Sequence, residues 1–416
     1  MIDPDRFLRG LFEVAVAAAD PLLAVPPALS ERPSGRVVVV GAGKASAKMA
    51  QAVETVWGAC EGIVIVPHGA ALPTEHIEIV EASHPVPDAA GHEAALRILT
   101  LLEDLGEGDF ALFLISGGGS ALLSAPCAGV TPEQKQTINK ALLASGAAID
   151  EMNCVRKHLS STKGGRLAVA AYPAQSLTLT ISDVPGDDPS IIASGPTVPD
   201  TTTSADALTI IDRYQIELPD SIRNILKTGA SETPDVDHPA FARTTQKMIA
   251  RPQSALEAAA RIAKEQGVTP MILGDAIEGE AREVGKTMAG IARQIVAHGQ
   301  PLETPCVLLS GGETTVTVRQ KPGIGGRNGE FLLGFVTAWD HDRVSALATD
   351  TDGIDGFGDN AGAIWTHAVR EKAEPLNKRD YLDGHDSYTF FKEAGGLIMT
   401  GPTQTNVNDF RAILIL

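Results

Sequence analysis

Three glycine-rich turns stand out in the sequence, because each follows an apolar run and carries groups that bind anions. The apolar runs are typical of buried strands, and the first turn opens a helix-prone stretch. Backbone N–H groups in such turns suit a phosphate or a carboxylate. A tight strand-to-helix connection is the alternative interpretation, although three consecutive glycines lose much conformational entropy unless something approaches the backbone closely. The residues predicted to hold an anion are Gly41, Gly43, Ser116, Gly117, Gly118, Gly119, Ser120, Gly311, Gly312 and Glu313.

Cationic side chains lie near these turns. Lys44 directly follows the first turn, and a solvated surface lysine is its alternative interpretation. Arg327, in a Gly-Gly-Arg-Asn motif, offers a planar fork that suits a carboxylate or a phosphate. Segment 156–166 holds four cations and one histidine. A solvated helix face explains some of these charges, but Lys163 and the two glycines after it predict a further anion site.

Aspartates cluster at two predicted strand ends. Segment 181–190 carries three carboxylates within six residues, and Asp350 and Asp352 follow another strand. Like charges this close repel one another unless a cation or a proton offsets them, and Mg²⁺ bound to phosphate oxygens is a natural partner. Asp188, Asp350 and Asp352 are therefore the predicted metal ligands. The alternatives are helix capping by Asp188 and a role as base for Asp350 or Asp352.

Charge and composition exclude several classes of partner. The 34 Lys and Arg residues face 52 Asp and Glu residues, which gives a net charge of −18 and a pI near 5.0. Nucleic acid needs a basic surface, so we predict no nucleic-acid partner. The 44% of hydrophobic residues indicate a globular protein, and no apolar run approaches the length of a membrane span. We predict no membrane association.

The N-terminus and the cysteines indicate the compartment. The first residues lack the basic start of a signal peptide, and acidic residues interrupt the apolar stretch that follows. Four scattered cysteines, without a paired motif, are typical of free thiols in the cytoplasm, the predicted localisation. These cysteines are Cys60, Cys127, Cys154 and Cys306.

The elements that position these residues alternate between strands and helices. Apolar runs predict strands at 36–40, 62–66, 77–80, 110–115 and 177–181, then at 270–273, 305–310, 314–319, 343–348 and 411–416. Helical patterns lie between them, one of them at 160–171. The polar segment 228–238 predicts a linker between a domain of residues 1–235 and a domain of residues 236–416. The predicted fold is two α/β domains with mostly parallel, Rossmann-like sheets that face an interdomain cleft.

The longer motifs together resemble the class II glycerate kinases of the MOFRL type. The segments that carry the resemblance run in order along the chain: SGGGSALL, NCVRKHLSSTKGGRLA, ISDVPGDDPSIIASGPTVPD, GGRN, TDTDGIDG, DSYTFF and GPTQTNVND. The resemblance implies Mg²⁺-dependent transfer of a phosphoryl group from ATP to the 2-hydroxyl of D-glycerate, which gives 2-phosphoglycerate and ADP. It also implies catalytic and substrate-binding roles for Lys44 and Arg327 and a substrate-binding role for Asn406. The chain departs from the usual GGRNQE at Gly329, which adds backbone freedom beside Arg327.

In this interpretation Asp187 accepts the proton of the 2-hydroxyl, and the enzyme is a monomer or a homodimer. Two other hypotheses stay open. The partial GxG turn and the labels of some relatives favour an NAD(P)H-dependent hydroxypyruvate reductase. Against it, the strand after this turn ends in Pro67 and His68, where a dinucleotide site carries an acidic residue. A nucleotide-sensing module without catalysis is the third hypothesis.

Overall fold

The computed structural model describes residues 2–318 and 323–416, which form two compact units. The N-terminal unit is the continuous segment Pro21–Ile249. The C-terminal unit joins the described residues up to Asp20 to Ala250–Leu416. Both units combine helices with a six-stranded sheet, so the predicted α/β class is confirmed.

The sheet of the N-terminal unit has the strand order β3-β2-β1-β4-β5-β6. Neighbouring strands from β3 to β5 run parallel, as predicted. The apolar runs of β1, β2, β4 and β5 are buried on both faces, which is the reason that they read as continuous hydrophobic segments, whereas the edge strand β3 is half-buried. The strands are β1 (Val37–Ala42), β2 (Glu61–Pro67), β3 (Ile77–Ala82), β4 (Phe110–Ile115), β5 (Gln175–Ile181) and β6 (Thr244–Ala250).

The order of these strands reverses at β1, which pairs with β2 on one side and β4 on the other. Because β1, β4 and β5 are parallel neighbours, the turns that follow them leave the same edge of the sheet. Ligands of open α/β sheets bind outside the carboxyl ends of the strands at such a reversal. The sheet thus brings together three turns that are far apart in sequence.

The sheet of the C-terminal unit is mixed, with the order β13-β12-β11-β14-β9-β7. Only β7 and β9 are parallel, and the other neighbours are antiparallel. The mostly parallel sheet that we predicted is therefore present in the N-terminal unit alone. Two short strands, β8 and β10, form a separate parallel pair. The strands are β7 (Thr269–Gly274), β8 (Gly279–Glu280), β9 (Cys306–Ser310), β10 (Thr314–Thr315), β11 (Val344–Asp350), β12 (Gly362–Trp365), β13 (Leu397–Ile398) and β14 (Asp409–Ile415).

Helices of the two units flank these sheets. The helices are α1 (Pro4–Ala18), α2 (Pro21–Ala24), α3 (Ser46–Trp57), α4 (Ala89–Glu103), α5 (Gly119–Leu122), α6 (Pro132–Ser145), α7 (Ile149–His158), α8 (Arg166–Ala170), α9 (Ser204–Arg213), α10 (Asp220–Lys227), α11 (Pro239–Ala242), α12 (Pro252–Glu265), α13 (Ala281–His298), α14 (Arg327–Ala338), α15 (His367–Ala373), α16 (Lys378–Asp383) and α17 (Ser387–Glu393). In the described parts of the chain, no helix combines the length and the apolar character that a bilayer crossing requires.

Two predicted elements are shorter than the sequence pattern indicated. The helix predicted at 160–171 is reduced to α8, because Gly164 and Gly165 adopt positive φ angles of 58° and 82° that a helix cannot contain. The strand predicted at 314–319 is reduced to β10, and its last residue, Arg319, lies outside the described residues.

The division into units also differs from the predicted boundary after residue 235. Strand β6 follows the polar segment 228–238 and completes the N-terminal sheet. Helix α1 belongs to the other unit, where it packs against α12 and β14, and the rings of Phe12 and Phe410 lie 6.1 Å apart. Sequence distance hides this contact, because the two rings are separated by almost the whole chain.

Candidate active site

The first two glycine-rich turns are bonded to each other. The Lys44 N–H donates to the Gly117 carbonyl at 2.9 Å, and the Ala45 N–H donates to Oγ of Ser116 at 3.1 Å. Gly43 has a φ of 142°, and a Cβ on it would lie 2.1 Å from Oγ of Ser116. The close approach predicted from the glycines is thus an approach between two turns. Together they fix the backbone of Lys44 at the carboxyl edge of the sheet.

The second and third residues of the second turn differ from its first. Ser116 is fully buried and bonded within the fold, and Gly41 is part of β1. Among residues 2–318 and 323–416, by contrast, the N–H groups of Gly117 and Gly118 have no hydrogen-bond acceptor. These two N–H groups are the part of the predicted nest that remains able to bind an anion.

Lys163 lies beside this turn. Its Nζ donates to the Ser120 carbonyl at 2.7 Å and to Oγ of Ser120 at 3.2 Å. That hydroxyl bonds Oγ of Ser194 at 2.8 Å, and Ser194 in turn donates to Asn153 at 3.2 Å. Burial lowers the pKa of the Lys163 ammonium well below its ordinary value. The structure therefore places Lys163 next to the predicted phosphate turn.

Two other cations of segment 156–166 form structural contacts within the fold. Lys157 forms a buried ion pair of 3.1 Å with Asp200. Arg166 donates to the carbonyl groups of Ser231 and Glu232 at 2.7 and 2.9 Å. Only part of the cationic segment thus faces the predicted anion site.

The acidic turn after β5 holds Asp187 in a conformation that is unusual for a residue with a side chain. Its φ is 55°, and its N–H donates to the Val184 carbonyl at 3.1 Å. Oδ1 of Asp187 is buried and has no hydrogen-bond partner among the described residues. Asp188 is exposed and accepts the Ser190 N–H at 2.8 Å within the turn, and no α-helix begins there that it could cap. Asp187 therefore keeps an oxygen for a proton or a cation.

In the C-terminal unit, Arg327 is bound by three carboxylates. Its three guanidinium nitrogens donate at 2.8 Å each, to Asp409, Glu313 and Asp350. Burial opposes the charge of the Arg327 guanidinium, but the carboxylates outweigh burial and raise its pKa above the ordinary value. A second arginine, Arg411, is fully buried and pairs with the other oxygen of Asp409. We call these five residues the arginine cluster.

The strand register explains the arginine cluster. Asp350 ends β11 and pairs directly with Asp409, which begins β14. Like charges directly opposite each other in a sheet are destabilising unless a cation lies between them. Arg327 begins α14 and reaches both carboxylates, so it joins the helix to the sheet.

Asp355 fixes the backbone of the first turn of α14, which begins with Arg327. Its two carboxylate oxygens accept the N–H groups of Asn328 and Gly329 at 2.9 and 2.8 Å. Burial raises the pKa of the Asp355 carboxyl to about 6. A Cβ on Gly329 would lie 2.5 Å from Oγ of Ser387, so this departure from the family motif fits the packing of α17. Gly329 does not loosen Arg327.

The third glycine-rich turn is used within the C-terminal unit. The Gly311 N–H donates to the Gly274 carbonyl, and the Gly311 carbonyl accepts a hydrogen bond from the Arg411 guanidinium. The Gly312 carbonyl accepts the Asp409 N–H at 3.2 Å. Glu313 places a negative charge beside Arg327, and this negative charge would repel a phosphate. We predicted that this turn binds an anion; the contacts indicate that it builds the arginine cluster.

The remaining predicted residues lie near the arginine cluster. Oδ1 of Asp350 accepts the Asp352 N–H at 3.1 Å, so both oxygens of Asp350 are hydrogen-bonded. Asn406 is buried and accepts the Asn408 N–H at 3.1 Å. In the chain outside residues 1 and 319–322, no group of three or more acidic, histidine or cysteine side chains could hold a metal ion. The predicted ligands Asp188 and Asp350 stand in different units.

Sequence reasoning missed three residues of this site. Asp409 lies in the GPTQTNVND motif, so its position beside Asn406 was a usable signal. Asp355 also lies in a quoted motif, TDTDGIDG. Nothing in the sequence distinguishes Arg411, in the middle of an apolar strand, from a residue at a sheet edge.

Comparisons with known proteins agree with this organisation. Residues 7–227 match a family described as a domain of unknown function, DUF4147, and residues 306–409 match the MOFRL family. The chain is 54% identical to a protein of Agrobacterium vitis provisionally named a hydroxypyruvate reductase, over 99% of this chain and 94% of that protein. It is 39% identical to the D-glycerate 2-kinase of Thermotoga maritima, over 100% of both.

A solved structure matches equally well. The crystal structure of the Thermotoga maritima glycerate kinase superposes with a TM-score of 0.89 and 38% identity, over 99% of both chains. The matches extend over both units and include the motifs that build the glycine turns and the arginine cluster. The chain therefore belongs to the MOFRL-type glycerate kinase family.

Proposed function

We propose that this protein is a glycerate kinase that transfers a phosphoryl group from ATP to the 2-hydroxyl of D-glycerate. The observation that carries the proposal is the arginine cluster, in which three carboxylates hold a guanidinium fork in one orientation. Phosphoryl transfer requires little covalent chemistry from the protein, because positioning and charge stabilisation supply most of the rate. A fixed guanidinium is suited to that task. The name of the Thermotoga maritima relative, a D-glycerate 2-kinase, supports the choice of glycerate.

Lys44 and Arg327 are the proposed cationic groups. The Lys44 backbone is fixed at a strand reversal by its bond to Gly117, so its ammonium starts from a defined position. Arg327 is fixed by its side-chain contacts instead. We propose that both act on one substrate, where they bind the glycerate carboxylate and the transferring group. Asn406, three residues before Asp409, is proposed to contact the substrate as well.

Asp187 is the proposed base. Its buried Oδ1 lacks a hydrogen-bond donor, so it is able to accept the proton of the 2-hydroxyl. The backbone that carries this carboxylate is fixed in a turn, in which Asp187 has a positive φ and its N–H donates to the Val184 carbonyl. Removal of the proton would make the hydroxyl oxygen a better nucleophile for the terminal phosphorus of ATP, with ADP as the leaving group.

The donor chemistry of the acidic turns fits Mg²⁺, which takes one or two carboxylates together with phosphate oxygens. We propose Asp188 and Asp352 as ligands, since Asp188 is exposed and Asp352 is half-buried. Asp350 is the weakest of the predicted ligands, because both of its oxygens are already hydrogen-bonded. When bound, Mg²⁺ would neutralise charge on the phosphate oxygens.

The hydroxypyruvate reductase hypothesis is favoured by one observation, the provisional name of the Agrobacterium vitis relative. The fold argues against it. Strand β2 ends at Pro67, so the edge next to the Gly41–Gly43 turn lacks the acidic side chain that binds the ribose of a nicotinamide cofactor. The cytoplasm stays the predicted compartment; the four cysteines are free and buried.

A paired assay tests the proposal. Purified protein is incubated with D-glycerate, ATP and Mg²⁺, ADP release is followed, and phosphorus NMR identifies the product. We expect ADP in amounts equal to 2-phosphoglycerate, and no oxidation of NADH or NADPH by hydroxypyruvate. Nicotinamide oxidation without ADP formation would establish the reductase instead. The Lys44→Ala variant should fold normally and lose activity; turnover like that of the wild type would contradict the role of Lys44.

A further inference from the structure

A cavity of about 270 Å³ opens in the N-terminal unit beside the second glycine-rich turn. It lies entirely within residues 84–163, so it belongs to one unit. The lining residues that matter here are Gly118, Ser120, Lys135, Lys140, Arg156 and Lys163. We call it the lysine pocket.

Three cations of the lysine pocket are buried or half-buried without a negative partner. Lys135 is 4% exposed and Lys163 is 2% exposed, and Arg156 is half-buried between them in sequence. Across residues 2–318 and 323–416, no carboxylate forms an ion pair with any of the three. Lys157, next to Arg156 on α7, shows how a buried cation is ordinarily compensated. It is buried like Lys135 and Lys163, but it forms an ion pair with Asp200.

The hydrogen bonds of these side chains do not compensate their charge. Nζ of Lys135 donates to the carbonyl of Ala125 at 3.3 Å, and Nζ of Lys163 bonds Ser120. Burial lowers the pKa of Lys135 to about 7, and the charge of Arg156 acts in the same direction. A buried amine without a negative partner gives up its proton more readily, so an anion that binds between these three side chains would restore their charge and be held by it.

The pocket also offers a neutral donor that suits a phosphate oxygen. Gly118 lines the cavity, and its N–H has no acceptor within the described chain. The Ser120 hydroxyl, by contrast, donates to Ser194, because Ser194 itself donates to Asn153. Cations together with backbone N–H groups are the combination by which proteins bind phosphate groups.

We propose that the lysine pocket binds the phosphate groups of the nucleotide, with Lys135, Arg156 and Lys163 as ligands. This inference rests on the proposed kinase function, which requires a nucleotide. The volume lies just below the roughly 300–1,000 Å³ of pockets that enclose whole drug-sized ligands. The pocket is therefore matched to a phosphate chain, and the nucleoside lies outside it.

Arg156→Gln tests the proposal most cleanly, because this side chain has no hydrogen bond within the described chain that its loss would break. Calorimetric titration with ATP, and separately with tripolyphosphate, is carried out on the wild type and on the variant. We expect tripolyphosphate to compete with ATP in the wild type. In Arg156→Gln, the Kd and the KM for ATP should rise at least tenfold, and the KM for glycerate should stay within twofold.

Lys135→Met is the second variant, and Lys264→Gln is the matched control. Methionine fills the space of the lysine stem without a charge, so this variant should fold and weaken ATP binding to a similar degree. Lys264 is exposed on α12 in the other unit, and its loss removes one charge far from the pocket in sequence. We expect no change in ATP affinity in the control.

The outcomes separate this inference from the kinase assignment. If the wild type makes no ADP from glycerate, the proposed function fails. If the wild type is an active kinase and both pocket variants bind ATP normally, the lysine pocket is not the phosphate site. A rise in the KM for glycerate alone would overturn the nucleotide assignment, because it would make the anion the substrate carboxylate.

Discussion

The arginine cluster and the lysine pocket bury positive charge in opposite ways. In the arginine cluster, two guanidinium groups meet three carboxylates, and each charge has a partner at hydrogen-bond distance. In the lysine pocket, three cations share no carboxylate. The first arrangement is complete within the protein, so it holds a side chain rigidly. The second is incomplete, so it is suited to receive a ligand. Buried charge thus holds a side chain in place in the arginine cluster and is suited to bind a ligand in the lysine pocket.

The largest effect is expected when Arg327, the centre of the arginine cluster, is replaced. Arg327→Ala should lower kcat/KM by about 10³–10⁵, by analogy with arginines that stabilise phosphoryl transfer. Steady-state kinetics measures the loss, and circular dichroism checks the fold. Arg327→Lys keeps the charge but not the fork, so it should recover little. Arg379→Ala removes an exposed arginine of α16 and is the control. Turnover like that of the wild type in Arg327→Ala would exclude Arg327 from catalysis.

The next largest effect concerns the buried charge of Lys135 in the lysine pocket. Lys135 has a pKa of about 7 in the folded protein and 10.5 ordinarily, so the unfolded state binds more protons between these values. The free energy of unfolding of the wild type should therefore rise with pH from about 7 to 10, by up to about 5 kcal/mol at about 1.4 kcal/mol per pKa unit. Lys135→Met has no ammonium at this position, so its free energy of unfolding should not show this rise. The variant should be more stable than the wild type near pH 7.

Urea unfolding at several pH values measures this difference. Lys140→Met, which removes an exposed lysine of the same helix, should follow the pH curve of the wild type. The groups that act on the Lys135 charge are Arg156, which disfavours it, and Cys127, which favours it. Parallel curves for Lys135→Met and the wild type would mean that Lys135 is not desolvated.

A smaller effect is expected from loosening the arginine cluster without touching its charges. Asp355→Asn leaves one acceptor for two N–H groups, so the first turn of α14 should shift and kcat should fall about 10–100-fold. The KM for ATP should not change. Wild-type kcat should also fall as the pH drops through about 6, because Asp355 is protonated there.

Kinetics across pH 5–8 measures this effect. Asp359→Asn, an exposed neighbour, is the control and should leave kcat unchanged. If Asp355→Asn retained the kcat of the wild type at pH 7, Arg327 would be positioned by its carboxylates alone.

The smallest effect is expected at the rim of the arginine cluster. Glu313 is the most exposed of the three carboxylates, with 46% of its side chain accessible. Exposed ion pairs contribute about 0–1 kcal/mol, so Glu313→Gln should change kcat/KM less than about fivefold. Asp409→Asn, at a fully buried position, should cost clearly more in the same assay. Equal losses of kcat/KM in the two variants would show that burial does not determine how much each contact contributes to activity.

The sequence allowed five of the six strands of the N-terminal sheet to be predicted, because most of them are continuous apolar runs between turns. Strand β6 was not predicted, because its sequence TTQKMIA is largely polar and exposed. The sequence also did not reveal the mixed C-terminal sheet. Strand β14 enters between β9 and β11 from the far end of the chain, and an apolar run carries no information about the direction of its neighbour. The helix expected at 160–171 was shortened by two glycines whose positive φ angles depend on tertiary contacts.

The candidate site was predicted residue by residue but not contact by contact. Arg327 and the glycine turns are visible in motifs, whereas the partner of Arg327 at Asp409 follows from strand register. Lys135 lies in the polar stretch Pro-Glu-Gln-Lys-Gln, which is typical of a solvent-exposed helix. Its burial depends on packing that no local pattern encodes. The lysine pocket could therefore not be found before the structure was known.

Helix α1 has a consequence for synthesis on the ribosome. Its apolar face, which includes Phe7, Leu8 and Leu11, packs on a sheet whose strand β14 is made almost four hundred residues later. The continuous unit Pro21–Ile249 is able to fold during translation, as domains generally do. Helix α1 must wait, and its exposed apolar face during that time is a natural substrate for a chaperone.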